Sequence, residues 1–183
     1  MSTRLVVILG GTRSGKSRFG RDRAAALTAE GGSVVYLGTI VEGQGDDELD
    51  DRIRRHRLDR PPEWATIEVG RDLAGVIRSL QPGTTILFDG LTLWMSLVFG
   101  DDPGPVDDVL DGAFAEALAA IAGHDGPVVI VSDEIGLGMV PLEPLSRAFR
   151  DLLGIAHQRL VARSDEAWFM VAGRPLALVD PSE

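Results

Sequence analysis

The amino-acid sequence predicts an α/β fold: a mostly parallel sheet flanked by helices, with an antiparallel hairpin at its C-terminal edge. Three observations predict it. Short apolar runs of strand length alternate with longer amphipathic segments, the order that a parallel sheet with helical crossovers produces. A glycine-rich turn stands between the first apolar run and the first amphipathic segment. The last two β-like runs are separated only by a Gly173-Arg174-Pro175 turn, too short for a crossover.

Arg4–Leu9 (RLVVIL) is apolar nearly throughout and closes on Gly10 and Gly11, which predicts a buried first strand. Lys16–Thr28 follows as a helix stopped near Gly31 and Gly32, and Ser33–Leu37 as a second strand. Asp46–Arg60 has acids in its first turn, arginines towards its end and Pro61-Pro62 after it, the polarity of a helix. Thr84–Phe88 is predicted as a third strand and Leu91–Phe99 as a helix, with Gly100–Pro105 a loop. Val106, Val109, Leu110, Ala113, Ala117, Leu118 and Ile121 form one helical stripe, predicting a continuous helix over 106–122. Pro127–Val131 is a fourth strand, a stripe from Leu145 to Leu160 another helix, and Ala167–Val171 with Leu176–Val179 the closing hairpin.

Composition bounds what these elements can do. The chain has 183 residues, 44% hydrophobic and 25% charged, and no linker or repeat interrupts it, so a single domain over 1–183 is expected. The absence of cysteine excludes disulfides, thiolate metal sites, iron–sulfur clusters and thiol catalysis. The N-terminal apolar run is too short for a signal peptide or a membrane span, which predicts a soluble cytoplasmic protein. A net charge of −10 argues against nucleic acid as partner. Acid collects at Asp46–Asp51 and Asp101–Asp111, whereas arginine collects at Arg13–Arg23 and Arg52–Arg60. Such local clusters suit small anionic ligands at defined sites, although the acidic runs alone also fit a solvated surface.

Gly10-Gly11-Thr12-Arg13-Ser14-Gly15-Lys16-Ser17 matches G-x-x-x-x-G-K-[ST] without gaps, after a strand and before a helix. The glycines let backbone N–H groups turn inward around phosphate oxygens, and the helix N-terminus adds its positive end. Lys16, the only lysine in the chain, is placed to reach the β- and γ-phosphates, and the Ser17 hydroxyl to hold Mg2+. A P-loop NTPase-like fold binding a nucleoside triphosphate is therefore predicted. The carboxylate partner of the cation is Asp89 after TTILF or Asp133-Glu134 after PVVIVS, since each follows a strand. Gly136-Leu137-Gly138 is not a dinucleotide fingerprint, because Pro141 stands where the third glycine belongs, and it is read as a flexible loop.

One of three histidines, His56, lies within the arginine-rich stretch Arg52–Arg60. Flanking guanidinium charges disfavour imidazolium, so a neutral ring with a free lone pair is expected there. The same arginines can hold a triphosphate and stabilise departing pyrophosphate. A neutral imidazole beside an α-phosphate can form a covalent phosphoramidate, while the plainer alternative is a histidine on a solvated helix. His124 and His157 are expected to be structural, and the three together make no metal site.

With these motifs in view, the sequence resembles the bifunctional adenosylcobinamide kinase / adenosylcobinamide-phosphate guanylyltransferase family of cobalamin biosynthesis. The matching pieces are GGTRSGKS; Arg52, Ile53, His56, Arg60, Pro61, Trp64, Thr66 and Glu68 in the pattern R-I-x-x-H-x-x-x-R-P-x-x-W-x-T-x-E; DGLTLW at 89–94; and DEIGLGMVP, RAFRDLLG and HQRLVARSDEAWFMVAG between Asp133 and Gly173. The resemblance implies that His56 is the residue that becomes guanylylated. It further implies that Leu37, Gly38, Thr39, Arg57, Leu58, Asp59, Arg60, Glu68 and Asp89 contact the guanine nucleotide, and that the protein is a homotrimer. The sequence departs from the family pattern at Gly90, where cysteine is expected, and at Asp133 and His157, where asparagine is expected; the chain contains no asparagine.

The resemblance implies two reactions: phosphorylation of adenosylcobinamide by ATP or GTP, then GMP transfer from GTP to adenosylcobinamide phosphate through His56. Trp64 and Trp94 are the aromatic candidates for the corrinoid, with burial in the core as the competing assignment. Two other readings stay open on the motifs. One is a P-loop kinase of another small alcohol or nucleotide, without a covalent intermediate. The other is a regulatory GTP-binding switch: Asp133-Glu134-Ile135-Gly136 meets a loose D-x-x-G pattern, but an N-K-x-D element is impossible in this chain.

Overall fold

The computed structural model describes residues 4–39, 61–100 and 104–179. Its strands are β1 (Leu5–Gly10), β2 (Val34–Gly38), β3 (Ala65–Glu68), β4 (Thr85–Asp89), β5 (Val128–Asp133), β6 (Glu166–Val171) and β7 (Arg174–Val179). Its helices are α1 (Lys16–Leu27), α2 (Leu73–Ser79), α3 (Leu91–Phe99), α4 (Val106–Asp111), α5 (Ala113–Ala122) and α6 (Pro144–Val161).

Among the described residues the strands form one seven-stranded sheet in the order β3-β2-β4-β5-β1-β6-β7. Every neighbouring pair is parallel except β6 and β7, which pair antiparallel as the hairpin expected from the sequence. Alternation along β1 shows how the sheet is covered on both faces. Leu5, Val7 and Leu9 face a large core with Phe88 of β4 and with Trp94, Met95, Phe114 and Leu152 of helices α3, α5 and α6. Val6 and Ile8 face the opposite side with Leu87, Val129, Val131 and residues of α1. Helix α1 lies close on its face because of Gly20: a Cβ there would stand 2.7 Å from Val131 Cγ2.

Most predicted elements are present within a residue or two of their expected ends, the usual uncertainty of helix and strand boundaries. The helix expected over 106–122 is instead two helices. Gly112, at φ −94° and ψ −110°, leaves helical geometry between α4 and α5 while the apolar stripe continues across the break. The C-terminal turn is centred on Ala172-Gly173, at φ 50° and 76°, one residue earlier than expected, so Arg174 and Pro175 already belong to β7. Two elements went unpredicted. Strand β3 has only four residues, three of them exposed, and α2 only seven; α2 is signalled in the sequence by Asp72, whose side chain accepts from Gly75 N–H at 2.7 Å. The helix expected at Asp46–Arg60 lies outside the described residues. No helix among the described residues is long and apolar enough to cross a membrane.

Candidate active site

The carboxyl ends of the parallel strands meet at one edge of the sheet, where α/β proteins place ligands. β1 ends at Gly10, β2 at Gly38, β3 at Glu68, β4 at Asp89 and β5 at Asp133. The glycine-rich turn leaves β1 there and enters α1 at Lys16. Arg13 and Gly15 hold left-handed φ values of 57° and 94°, which reverse the chain so that the first turn of α1 faces the strand ends. No side chain caps that helix terminus.

Hydrogen bonds from three sides hold the turn. Ser14 N–H donates to the Gly11 carbonyl at 3.2 Å, and Glu134 N–H to the Gly10 carbonyl at 3.0 Å. Gly173 N–H donates to the Ser14 carbonyl at 2.9 Å, which ties the β6–β7 turn to it. Thr12 and Arg13 are exposed at the crown, whereas Ser14 and Lys16 are buried. The Ser14 hydroxyl has no hydrogen-bond partner among the described residues, a polar atom inside the turn that a phosphate oxygen would satisfy.

Lys16 Nζ donates to the Gly11 carbonyl at 3.1 Å and pairs with Asp133 Oδ1 at 2.5 Å. That ion pair follows from strand order. β5 is the immediate neighbour of β1, with Gly10 opposite Asp133 in register. Asp89 lies one strand farther out, opposite Val131 of β5, and is half-buried. Ser17, in the first turn of α1, is also half-buried. Ser17, Asp89 and Asp133 offer only oxygen donors, the class that Mg2+ takes. Among the described residues no group of three or more acidic, histidine or cysteine side chains could hold a metal by itself.

The remaining expected residues divide by position. Thr39 follows β2 and its hydroxyl donates to the Gly90 carbonyl at 3.3 Å, linking the ends of β2 and β4. Gly38 is opposite Glu68 in register, and Glu68 is exposed at the sheet edge. Leu37 is wholly buried in the core, so its side chain is not available to a ligand. Trp94 is likewise core, at 1% exposure, and its indole N–H donates to the Arg71 carbonyl, which removes it as a corrinoid face. Trp64 is half-buried against the α1 side of the sheet. His56, Arg57, Leu58, Asp59 and Arg60 lie outside the described residues.

The structure adds a partly buried polar chain behind the site that the sequence did not reveal. Asp133 N–H donates to Thr92 Oγ1 at 2.8 Å, Thr92 Oγ1 lies 3.0 Å from Ser132 Oγ, and Ser132 Oγ lies 2.8 Å from His157 Nε2. His157 Nδ1 faces Glu134 Oε2 at 3.5 Å. Burial holds the His157 pKa below its usual value despite the opposing pull of the Glu134 and Asp133 carboxylates. A neutral His157 with its proton on Nδ1 accepts from Ser132 at Nε2, which satisfies the chain in one direction. The only hint of it in the sequence is that Ser132, Asp133 and Glu134 follow an apolar strand directly. His124 is separate: it is buried and its Nε2 donates to the Thr84 carbonyl at 2.7 Å. Beyond Glu134, the connection to α6 exposes Leu137, Met139, Val140 and Leu142 beside the strand ends.

Comparison with known proteins matches this arrangement to one family. The family model "Cobinamide kinase / cobinamide phosphate guanyltransferase" matches residues 6–178. The bifunctional adenosylcobalamin biosynthesis protein CobP of Pseudomonas aeruginosa is 42% identical over 175 residues, covering 94% of this chain and 95% of that protein. The corresponding CobU proteins of Salmonella typhimurium and Escherichia coli are 35% and 32% identical, covering 92% of this chain and 96% of each relative. Among solved structures, the flagellar accessory protein FlaH from Methanocaldococcus jannaschii shares the fold, with a TM-score of 0.53 at 14% identity over 97% of this chain and 79% of that one. Matched over nearly its whole length, and carrying the phosphate turn where the strand ends converge, the chain belongs to the cobinamide kinase / cobinamide phosphate guanyltransferase family.

Proposed function

We propose that this protein phosphorylates adenosylcobinamide and then guanylylates the product, using one nucleotide site for both reactions. The observation that carries the proposal is the Gly10–Ser17 turn with the chain's only lysine buried at its base, set among the strand ends that bear Asp89 and Asp133. In the kinase step the substrate hydroxyl oxygen attacks the γ-phosphorus, the β–γ P–O bond breaks and the nucleoside diphosphate leaves. Backbone N–H groups of Gly11–Lys16 and the Lys16 ammonium stabilise the charge on the transferring group. Ser17 and Asp89 would hold Mg2+, which would supply charge neutralisation at the phosphates.

In the guanylyl step a ring nitrogen of His56 attacks the α-phosphorus of GTP, an N–P bond forms and pyrophosphate leaves. An oxygen of adenosylcobinamide phosphate then attacks the same phosphorus and the N–P bond breaks, giving adenosylcobinamide-GDP and free histidine. By the family resemblance Arg57 and Arg60 hold the triphosphate, with Leu58 and Asp59 beside them, and Gly38, Thr39 and Glu68, with the Leu37 backbone rather than its buried side chain, line the nucleoside side through the β2 and β3 ends. The exposed apolar side chains at 137–142 support a large, apolar-faced acceptor next to the phosphate turn. The family resemblance supports a homotrimer working in the cytoplasm.

The test incubates the protein with α-labelled and, separately, γ-labelled GTP and then denatures it. Acid-labile, alkali-stable label from the α position alone is expected, and it is lost in His56→Ala. Retention of that label in the variant rejects His56 as nucleophile. Transfer of γ-label to acceptor with no covalent nucleotide at all would favour a simple kinase.

A further inference from the structure

Lys16 is the single lysine of the chain, it is 8% exposed, and its ammonium is engaged by protein oxygens: the Gly11 carbonyl and the Asp133 carboxylate. Asp133 is held at that place by its backbone. It pairs with Gly10 across the β1–β5 ladder, its N–H is anchored on Thr92 Oγ1, and the next residue bonds back to the Gly10 carbonyl. The carboxylate therefore sits on the same ammonium that a phosphate seated in the turn requires. An amide at this position would leave the ammonium to the phosphate and could itself donate to a phosphate oxygen. A carboxylate both competes for Lys16 and brings a like charge against the nucleotide.

Resting on the nucleotide reading of the turn, we propose that Asp133 gates the site: its carboxylate competes with phosphate for Lys16, so that tight nucleotide binding is conditional on a divalent cation. A divalent cation held at Ser17 and Asp89 would offset the repulsion between the Asp133 carboxylate and the phosphate and would favour transfer of the lysine to the phosphate. Asp133 is thus a positioning residue acting through Lys16. Its charge makes the site more cation-dependent than one with an amide in that place.

The experiment measures binding of guanosine α,β-methylene triphosphate, whose α–β linkage cannot be cleaved, to the full-length protein and to Asp133→Asn. Each is titrated calorimetrically in EDTA and in Mg2+. The variant is expected to bind at least about tenfold more tightly in EDTA, with the advantage collapsing in Mg2+. Selective 15Nζ lysine labelling gives a single resonance, from Lys16. That resonance is expected to shift on substitution and, in the unsubstituted protein, on addition of the analogue. If the ratio of the two affinities is the same with and without Mg2+, the gating proposal is overturned and nucleotide binding stands. If neither protein binds the analogue in Mg2+, the nucleotide reading falls and the gate with it. Asp133→Ser removes the same charge and serves if the asparagine variant does not fold.

Discussion

Gly173 donates its backbone N–H to the carbonyl of Ser14 at 2.9 Å, so a hairpin turn at the edge of the sheet steadies the phosphate turn near its centre. The contact is close: a Cβ on Gly15 would lie 3.3 Å from Gly173 Cα. The two residues are 159 positions apart in the sequence, yet β1 and β6 are neighbours. Substitutions in the β6–β7 turn are therefore expected to register at the nucleotide site as well as in stability.

Ala172 precedes Gly173 at φ 50°, a left-handed conformation that costs a β-carbon residue about 1 kcal/mol relative to glycine. Ala172→Gly is expected to raise stability by at most about 0.5 kcal/mol, the relieved strain being largely offset by the roughly 0.5–1 kcal/mol of freedom that the unfolded chain gains. Calorimetric unfolding checks this, and a loss of stability would show that the alanine is not strained.

Lys16→Ala is expected to lower kcat for phosphoryl transfer about 100- to 1,000-fold, because no other lysine exists to replace the lost charge. Stability should change by no more than about 1 kcal/mol, since Asp133 keeps access to water. Steady-state kinetics with adenosylcobinamide and ATP, beside a melting curve, separates the two effects.

Glu166 is wholly buried at the start of β6 and accepts from Arg4, from Arg23 and from the Trp168 indole. Burial pushes its pKa up, but the hydrogen bonds of Trp168, Arg23 and Arg4 and the charge of Arg23 outweigh it and hold the carboxyl below 4.5. The stabilisation is thus complete above pH 4.5 and is lost as pH falls through the lowered folded value. Glu166→Gln is expected to cost about 2 kcal/mol at neutral pH, less than a fully dry pair because both arginines reach water. The variant's melting temperature should be flatter than the parent's across that acid window.

His157 titrates the other way round from an ion-paired histidine. Its folded pKa lies below 6.5, so the unfolded chain takes up the proton first, and stability declines as pH falls from 6.5 to the lowered value. The groups facing the ring are Ser132, Glu134 and, by charge, Asp133. His157→Gln should remove that part of the pH dependence, as measured by melting curves in EDTA between pH 7.5 and 5. An unchanged slope would place the titrating group elsewhere.

How much of this was legible depends on the range of the interaction involved. Gly10–Ser17 declared itself because its chemistry is contiguous: glycines, lysine and serine must follow one another for a strand–turn–helix to wrap a phosphate. Helix α3 was read to its ends because Gly90 and Gly100 bracket an apolar run. The break between α4 and α5 is silent in the sequence because an apolar stripe carries through Gly112. Strand β3 leaves little hydrophobic signal in the sequence because it is short and its residues are mostly exposed.

By itself the sequence determined the alternation of strands and helices, the phosphate turn and the family that carries them, all of which depend on neighbours along the chain. The order β3-β2-β4-β5-β1-β6-β7 was decided only in three dimensions. That order makes Asp133 rather than Asp89 the partner of Lys16, brings Gly173 against Ser14 and sets His157 behind Ser132. Which strands lie side by side follows from how the helices bury both faces of the sheet at once. That packing is a property of the whole core, and no short stretch of residues encodes it.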